Sequence, residues 1–306
     1  MIIILNFYHL PSKECIVTWS QKCASTALSR WIKHSFDEGQ ACQKATSMRT
    51  YLAKAGHSFK HINKLKSLTT TEQPKANKII VSYRDPASRI TSSFINKFHI
   101  YENRTIFDGK KKTQGFSQEF SIAITQSLNQ KYEGNRNEGD FSLREMILFL
   151  WECKVNGSLE AINPHFTPQL ISKKHLNVIK FCSISAKLFP LKVEFLRDDL
   201  EYINNALSFS YIPPHMNSIS KPGKNWGFSD SADLVDLPLS KLYAKKVIPK
   251  SNSLRKALEQ DQDFNKKYME VFQHDYELLR WMDELRHTGR NQRSIFVHSS
   301  KQGCNA

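Results

Sequence analysis

The sequence predicts an α/β protein, a single domain whose central parallel sheet is flanked by helices, and three observations carry that expectation. Apolar, β-branched runs at Cys15–Trp19 and at residues 79–83 suit strands buried on both faces. Each run leads into a segment whose apolar residues recur at helical spacing, the alternation that builds parallel sheets. A chain of 306 residues with 40% hydrophobic and 11% aromatic content has enough apolar surface for a large core.

The opening residues, MIIILNFYHL, have no basic segment before them and are too few to span a bilayer, so they read as an N-terminal strand. Residues 14–33, ECIVTWSQKCASTALSRWIK, read as a buried strand, a tight basic turn and a helix. Ser25 or Thr26 can cap that helix, and Ala27, Leu28, Trp31 and Ile32 form its buried stripe. Such a turn gathers backbone N–H groups and the positive helix end at one point. With Lys22 and two hydroxyls added, that point suits a phosphate or sulfate. It is not a Walker loop, because the glycines and the Gly-Lys-Ser/Thr ending are missing.

Residues 40–67 are basic and mixed and predict helical pieces and loop over the substrate face. The strand at 79–83 stops at Arg84-Asp85-Pro86, where proline ends a strand but suits the first turn of a helix. That helix is expected over 87–101, with Ile90, Phe94, Ile95 and Phe98 on one side and Arg89, Ser92 and Ser93 beside them. A basic loop at 102–114 precedes helices at 117–128 and 142–153, the second opened by a Ser142-x-x-Glu145 capping box. Two prolines stiffen Asn163-Pro164-His165-Phe166-Thr167-Pro168-Gln169. Strand-like runs at 177–182 and 192–196 lead to a helix over 198–207, an irregular stretch over 211–226, and a last helix over about 264–285. The domain is therefore expected over 1–286, with a polar tail at 287–306.

The charge balance, 44 basic against 29 acidic residues, gives +15 and implies an anionic partner: a nucleotide, an acidic polysaccharide, nucleic acid or a membrane surface. The plainer account is solubility. Six cysteines lie far apart with no C-x-x-C pair and no His/Cys metal spacing, the pattern of reduced thiols in a cytoplasmic protein that holds no metal. No segment looks transmembrane and no nucleic-acid motif is present.

Arg84 leaves the C-terminal end of a strand, where ligands of open α/β sheets collect, and Ser92 follows about two helical turns on. A guanidinium and a hydroxyl there can hold a phosphate monoester. The plainer alternative is a bridge between Arg84 and Asp85 across the turn. Lys221-Pro222-Gly223-Lys224 can close over an anion or be a surface turn, and His165, His61 and His215 are candidate bases.

In these residues the sequence resembles a family. Gln21-Lys22-Cys23-Ala24-Ser25-Thr26 after a strand is similar to the 5′-phosphosulfate loop of sulfotransferases. Arg84-Asp85-Pro86-x-x-Arg89-x-x-Ser92-x-Phe94-x-Asn96-Lys97-Phe98 resembles their 3′-phosphate motif, in the form found in chondroitin 4-O enzymes. The loop is nearer to the heparan sulfate 2-O enzymes, and Pro164-His165-Phe166-x-Pro168 resembles a Pro-His-Trp-x-Pro segment of the chondroitin group. Weaker echoes lie at 195–200, at His215-Met216-Asn217 and at His274-Asp275-Tyr276-Glu277-Leu278. The chain departs from the pattern in having Gln21 for proline and Phe94 for tyrosine, and in showing no signal anchor or stem.

The resemblance implies a P-loop nucleotide-kinase-like sulfotransferase fold and a soluble, bacterial-type enzyme. Its donor would be 3′-phosphoadenosine 5′-phosphosulfate (PAPS), with no metal. Lys22 would neutralise charge on the leaving 5′-phosphate, with Gln21, Cys23, Ala24, Ser25 and Thr26 completing the loop. Arg84 and Ser92 would hold the 3′-phosphate, Lys221, Gly223 and Lys224 would close over it, and His165 would be the general base. The acceptor would be a hydroxyl, most readily on a carbohydrate, or else a small secondary metabolite sulfated at oxygen or nitrogen. A polyanion- or nucleic-acid-binding protein is the rival from another class. A P-loop kinase is a second rival, without the Walker glycines or a metal-binding aspartate to support it.

Overall fold

The computed structural model describes residues 6–36, 51, 53–54, 56, 58–59, 62–70, 74–99, 115–134, 136–137, 139–213 and 226–301. Lys221, Gly223, Lys224, His61, His215 and Lys110–Lys112 lie outside them. The chain forms two compact units. One holds residues 85–171 and 215–273, the other residues 5–84, 172–214 and 274–306.

The second unit is built on a mixed five-stranded sheet of order β3-β1-β2-β4-β5: β1 (Asn6–Leu10), β2 (Cys15–Trp19), the two-residue β3 (Ser58–Phe59), β4 (Lys78–Tyr83) and β5 (Lys187–Lys192). Only β2, β4 and β5 run parallel; β1 is antiparallel to both of its neighbours. The expected all-parallel sheet is therefore corrected. The 3-10 turn Pro11–Lys13 joins β1 to β2, and so short a link permits only an antiparallel pair.

The strands expected at Cys15–Trp19 and 79–83 are present and buried, β2 at every position, whereas the strand expected at 192–196 is instead the 3-10 turn Val193–Phe195 and the start of a helix. Cys15, Val17 and Trp19 turn to one face, where they meet helix α1 (Ser25–Ser35) through Leu28, Trp31 and Ile32. Helix α2 (Ile62–Thr69) precedes β4. Residues 177–182, expected as a strand, belong instead to a helix (Lys173–Cys182) that buries Leu176, Ile179 and Cys182 at helical spacing. Its valine and isoleucine suggested a strand, and tertiary burial of the three-residue period decided otherwise. The strand is β5, ten residues later and shorter in apolar content. A second helix (Leu196–Leu207) follows it and joins the α1 core through Leu200, Ile203 and Leu207. The Trp31 indole donates to Asn204 Oδ1 at 2.8 Å, locking the two helices together.

The other unit opens with α3 (Pro86–Phe94), which has Pro86 in its first turn and Asp85 as N-cap, accepting from the Ser88 N–H at 2.8 Å. The α-helix ends at Phe94 and a π-turn, Ile95–His99, follows; residues 100 and 101 of the expected helix lie outside the described residues. Next come α4 (Gly115–Tyr132) and α5 (Leu143–Val155), the latter with the expected Ser142–Glu145 capping box. The helices already given at 173–182 and 196–207 are α6 and α7. Then come the parallel pair β6 (Gly227–Ser229) and β7 (Val247–Pro249), α8 (Leu239–Ala244), α9 (Ser251–Gln260) and α10 (Gln262–Lys301). Helical backbone thus continues where a polar tail was expected from residue 287.

His99 is buried in this unit, its Nε2–H donating to the Val247 carbonyl at 2.8 Å and its ring edge-on to Trp226. Burial holds its pKa below the ordinary histidine value. The unfolded chain takes up this proton first as pH falls below about 6.5, so stability present above that pH is lost on acidification. We expect the denaturation midpoint to fall between pH 7.5 and 5.5, and His99→Asn to flatten that fall; an unchanged pH profile would remove His99 as its source.

Candidate functional site

Strands β2 and β4 are parallel neighbours in register, so both end at the same edge of the sheet. Ser20–Ala24 leaves β2 as a turn closed by the Cys23 N–H on the Ser20 carbonyl (3.2 Å) and by the Ser20 hydroxyl donating to Cys23 Sγ (3.1 Å). Lys22 (φ 65°) and Ala24 (φ 54°) both take the left-handed conformation. A loop that glycines would form without strain is made here by residues carrying a Cβ, at about 1–2 kcal/mol each. Ala24 is the N-cap of α1 and no side chain caps the helix. Ser25 and Thr26 are its first helical residues, which corrects their expected capping role and leaves their hydroxyls in the opening turn.

This strain gives a direct test. Ala24→Gly is expected to raise stability by about 0.5–1 kcal/mol, the left-handed cost less the added freedom of the unfolded chain. Urea denaturation would show a higher midpoint; a lower one would mean that the turn is not left-handed at Ala24.

Arg84, directly after β4, reaches this turn: its Nη1 donates to the Lys22 carbonyl at 3.1 Å. Its Nε lies 3.4 Å from Glu194 Oε1, just beyond the end of β5. Lys22, Arg84 and Glu194 thus cluster where three parallel strands end. Glu194 carried no signal in the sequence, because its meeting with Arg84 depends on β5 lying beside β4. The alternative bridge from Arg84 to Asp85 is not what forms. Asp85 accepts from Ser88 N–H and is paired with Arg255 at 2.7 Å.

Within the first unit, α3 presents Arg89 and Ser93 one turn apart. The Arg89 guanidinium, which is fully buried, donates to the Thr167 carbonyl, and the Ser93 hydroxyl donates to the His165 carbonyl. These two side chains therefore hold the 163–169 loop, with Phe166 stacked on Phe120 and Phe98 as its apolar anchor. Asn163 Oδ1 accepts both the His165 N–H (3.1 Å) and Nδ1–H (2.8 Å). That fixes the Nδ1–H tautomer and makes Nε2 the basic nitrogen. Asn163 is a second residue that was missed, although Asn-Pro-His is a readable spacing for a side-chain bond across a proline turn. Burial lowers the pKa of Lys97, in the π-turn of the same motif.

The structure brings Gln21, Lys22, Cys23, Ala24, Ser25, Thr26 and Arg84 together at one sheet edge. Ser92 and His165 belong to the other unit, Ser92 half-buried on α3 and His165 half-buried in its braced loop. Among the described residues no group of His, Cys, Asp and Glu could hold a metal, and no helix is long and apolar enough to cross a membrane. The chain matches no protein-family model, no curated protein and no solved structure.

Proposed function

We propose that the chain is a sulfotransferase that moves the sulfuryl group from PAPS to an acceptor hydroxyl, most readily on a carbohydrate. In this reading it is a cytoplasmic enzyme with the P-loop-like sulfotransferase fold. The observation that carries the reading is the Arg84 guanidinium bonded to the Lys22 carbonyl at 3.1 Å, two cationic residues at the ends of adjacent parallel strands. Had they stood at opposite ends of the sheet, no single nucleotide could have reached both.

The residues fit a doubly phosphorylated nucleoside. Lys22 with the α1 N-terminus suits a 5′-phosphate, and the planar fork of Arg84 suits a 3′-phosphate. The donor supplies an activated sulfuryl group whose transfer needs positioning and charge stabilisation more than covalent help. Lys22 offsets charge on the leaving phosphate, and Ser25 and Thr26 bond its oxygens. Glu194 keeps Arg84 oriented and moderates its charge. His165, with Nδ1–H held by Asn163, has the tautomer that accepts an acceptor's proton at Nε2. Buried free thiols at Cys153 and Cys182 support a reducing compartment.

Calorimetry with adenosine 3′,5′-bisphosphate, ATP and duplex DNA tests the reading. The bisphosphate is expected to bind tightest. Tighter binding of ATP would favour a kinase, and tighter, steeply salt-dependent binding of DNA would favour a polyanion binder. Labelled transfer to glycans and to small metabolites then separates the two acceptor classes. His165→Ala is expected to lower kcat by about 10²–10⁴-fold with donor affinity kept; an active variant would move the base elsewhere.

A further inference from the structure

The second unit contains a cavity of about 380 Å³ between β5, α7 and the 281–288 stretch of α10, a volume within the range of small-molecule sites. Its wall includes Lys187, Pro190, Asp199, Trp281, Leu285 and Arg286. Lys187 is the first residue of β5 and pairs with Lys78 at the start of β4, whereas Lys22 and Arg84 follow strand ends. None of Gln21–Thr26, Arg84 and Glu194 is among the residues that line the cavity, so it is distinct from the candidate nucleotide grip, although its Arg286 wall reaches Phe195 at the same sheet edge.

Arg286 decides its chemistry. Its side chain is 9% exposed, its Nε donates to Asp199 Oδ1 at 2.7 Å, and its Cζ lies 4.3 Å from the Phe195 ring centroid. The other Asp199 oxygen accepts the Lys192 N–H at 2.8 Å, so each oxygen of the carboxylate is used. Among the described residues the two terminal nitrogens of Arg286 have no partner. A guanidinium this buried, lining a cavity with two donor groups that meet no described partner, suits an anion. Lys187 adds a second cation, and Trp281, with Lys180 over its ring at 5.4 Å, offers an indole wall for a flat apolar body. Pro190 and Leu285 extend that apolar surface.

We propose that this cavity binds a small planar organic anion, an aromatic ring bearing a carboxylate or sulfonate, at a site independent of the nucleotide. The acid group bonds the terminal nitrogens of Arg286 and is faced by Lys187, while the ring lies along Trp281 and Leu285.

Calorimetry and tryptophan fluorescence of the full chain with 1-naphthoate, its neutral amide and inorganic sulfate test the proposal. Naphthoate should bind saturably, and the amide and sulfate should each bind at least about tenfold more weakly, because each lacks one half of the match. Arg286→Ala would strand Asp199 and weaken the fold of the unit itself, so Lys187→Glu and Thr288→Glu at the exposed rim are the informative variants. Each should weaken naphthoate about tenfold or more and leave adenosine 3′,5′-bisphosphate binding unchanged. The proposal is overturned if naphthoate does not saturate, if its binding ignores both rim variants, or if adenosine 3′,5′-bisphosphate displaces it.

Discussion

Arg84→Ala is expected to abolish turnover and to weaken adenosine 3′,5′-bisphosphate by about 2–4 kcal/mol, roughly 30- to 1,000-fold. The magnitude follows from removing a charge-assisted donor from a phosphate and leaving Glu194 beside that phosphate with no cation between them. Adenosine 5′-monophosphate, which lacks the 3′-phosphate, should lose far less, and this contrast separates direct recognition from general damage. Arg84→Lys should rescue poorly, since an ammonium cannot reach the Lys22 carbonyl, Glu194 and a phosphate with one planar fork. Equal bisphosphate affinity in wild type and Arg84→Ala, measured by calorimetry, would reject the 3′-phosphate assignment. Lys22→Ala should also abolish turnover, with the loss falling mainly on kcat.

Asp199→Ala should destabilise the second unit by about 3–5 kcal/mol, the largest stability effect we expect of any single change. The Asp199 side chain is 2% exposed and its two oxygens serve Arg286 and the Lys192 N–H. Truncation leaves a buried guanidinium unpaired and a backbone donor unmet. The neighbouring Asp283 joins the Tyr83 hydroxyl at 2.7 Å and the Lys192 ammonium at 2.6 Å, so α10 is held to the strand ends by two linked carboxylates. Burial, the bond to Asp283 and its charge together push the Tyr83 phenol far above its ordinary range, and it remains protonated. Urea denaturation followed by circular dichroism is the measurement. A loss under about 1 kcal/mol would show that Arg286 reaches water once its partner is gone.

What the sequence made legible was what local pattern decides. The all-buried run Cys15–Trp19, the stripe Ala27, Leu28, Trp31 and Ile32, and the Ser142–Glu145 capping box all stand as read, because each is set within a few residues. The misreadings share the opposite property. Val178 and Ile179 favour a strand in isolation, and only packing through Leu176 and Cys182 selects a helix. The direction of β1 depended on a four-residue connection whose meaning lies in its length. The cluster of Lys22 with Arg84 could be anticipated from strand ends, whereas Glu194 required knowing the strand order. Arg89 and Ser93 read as neighbours of a nucleotide motif, yet their bonds go to the loop that carries His165, a partnership between residues over seventy positions apart.

The mixed sheet also sets an order of assembly. The β1–β2 hairpin needs only its own turn and can close within microseconds, while β4 must wait for β5, which pairs residue 78 with residue 187. Until that distant partner is synthesised, the flank of β4 offers a row of unsatisfied amides beside a largely apolar surface. Nascent chains halted before residue 187 should therefore be the aggregation-prone species, and a chaperone that shields one bare strand would do most for the yield of native protein.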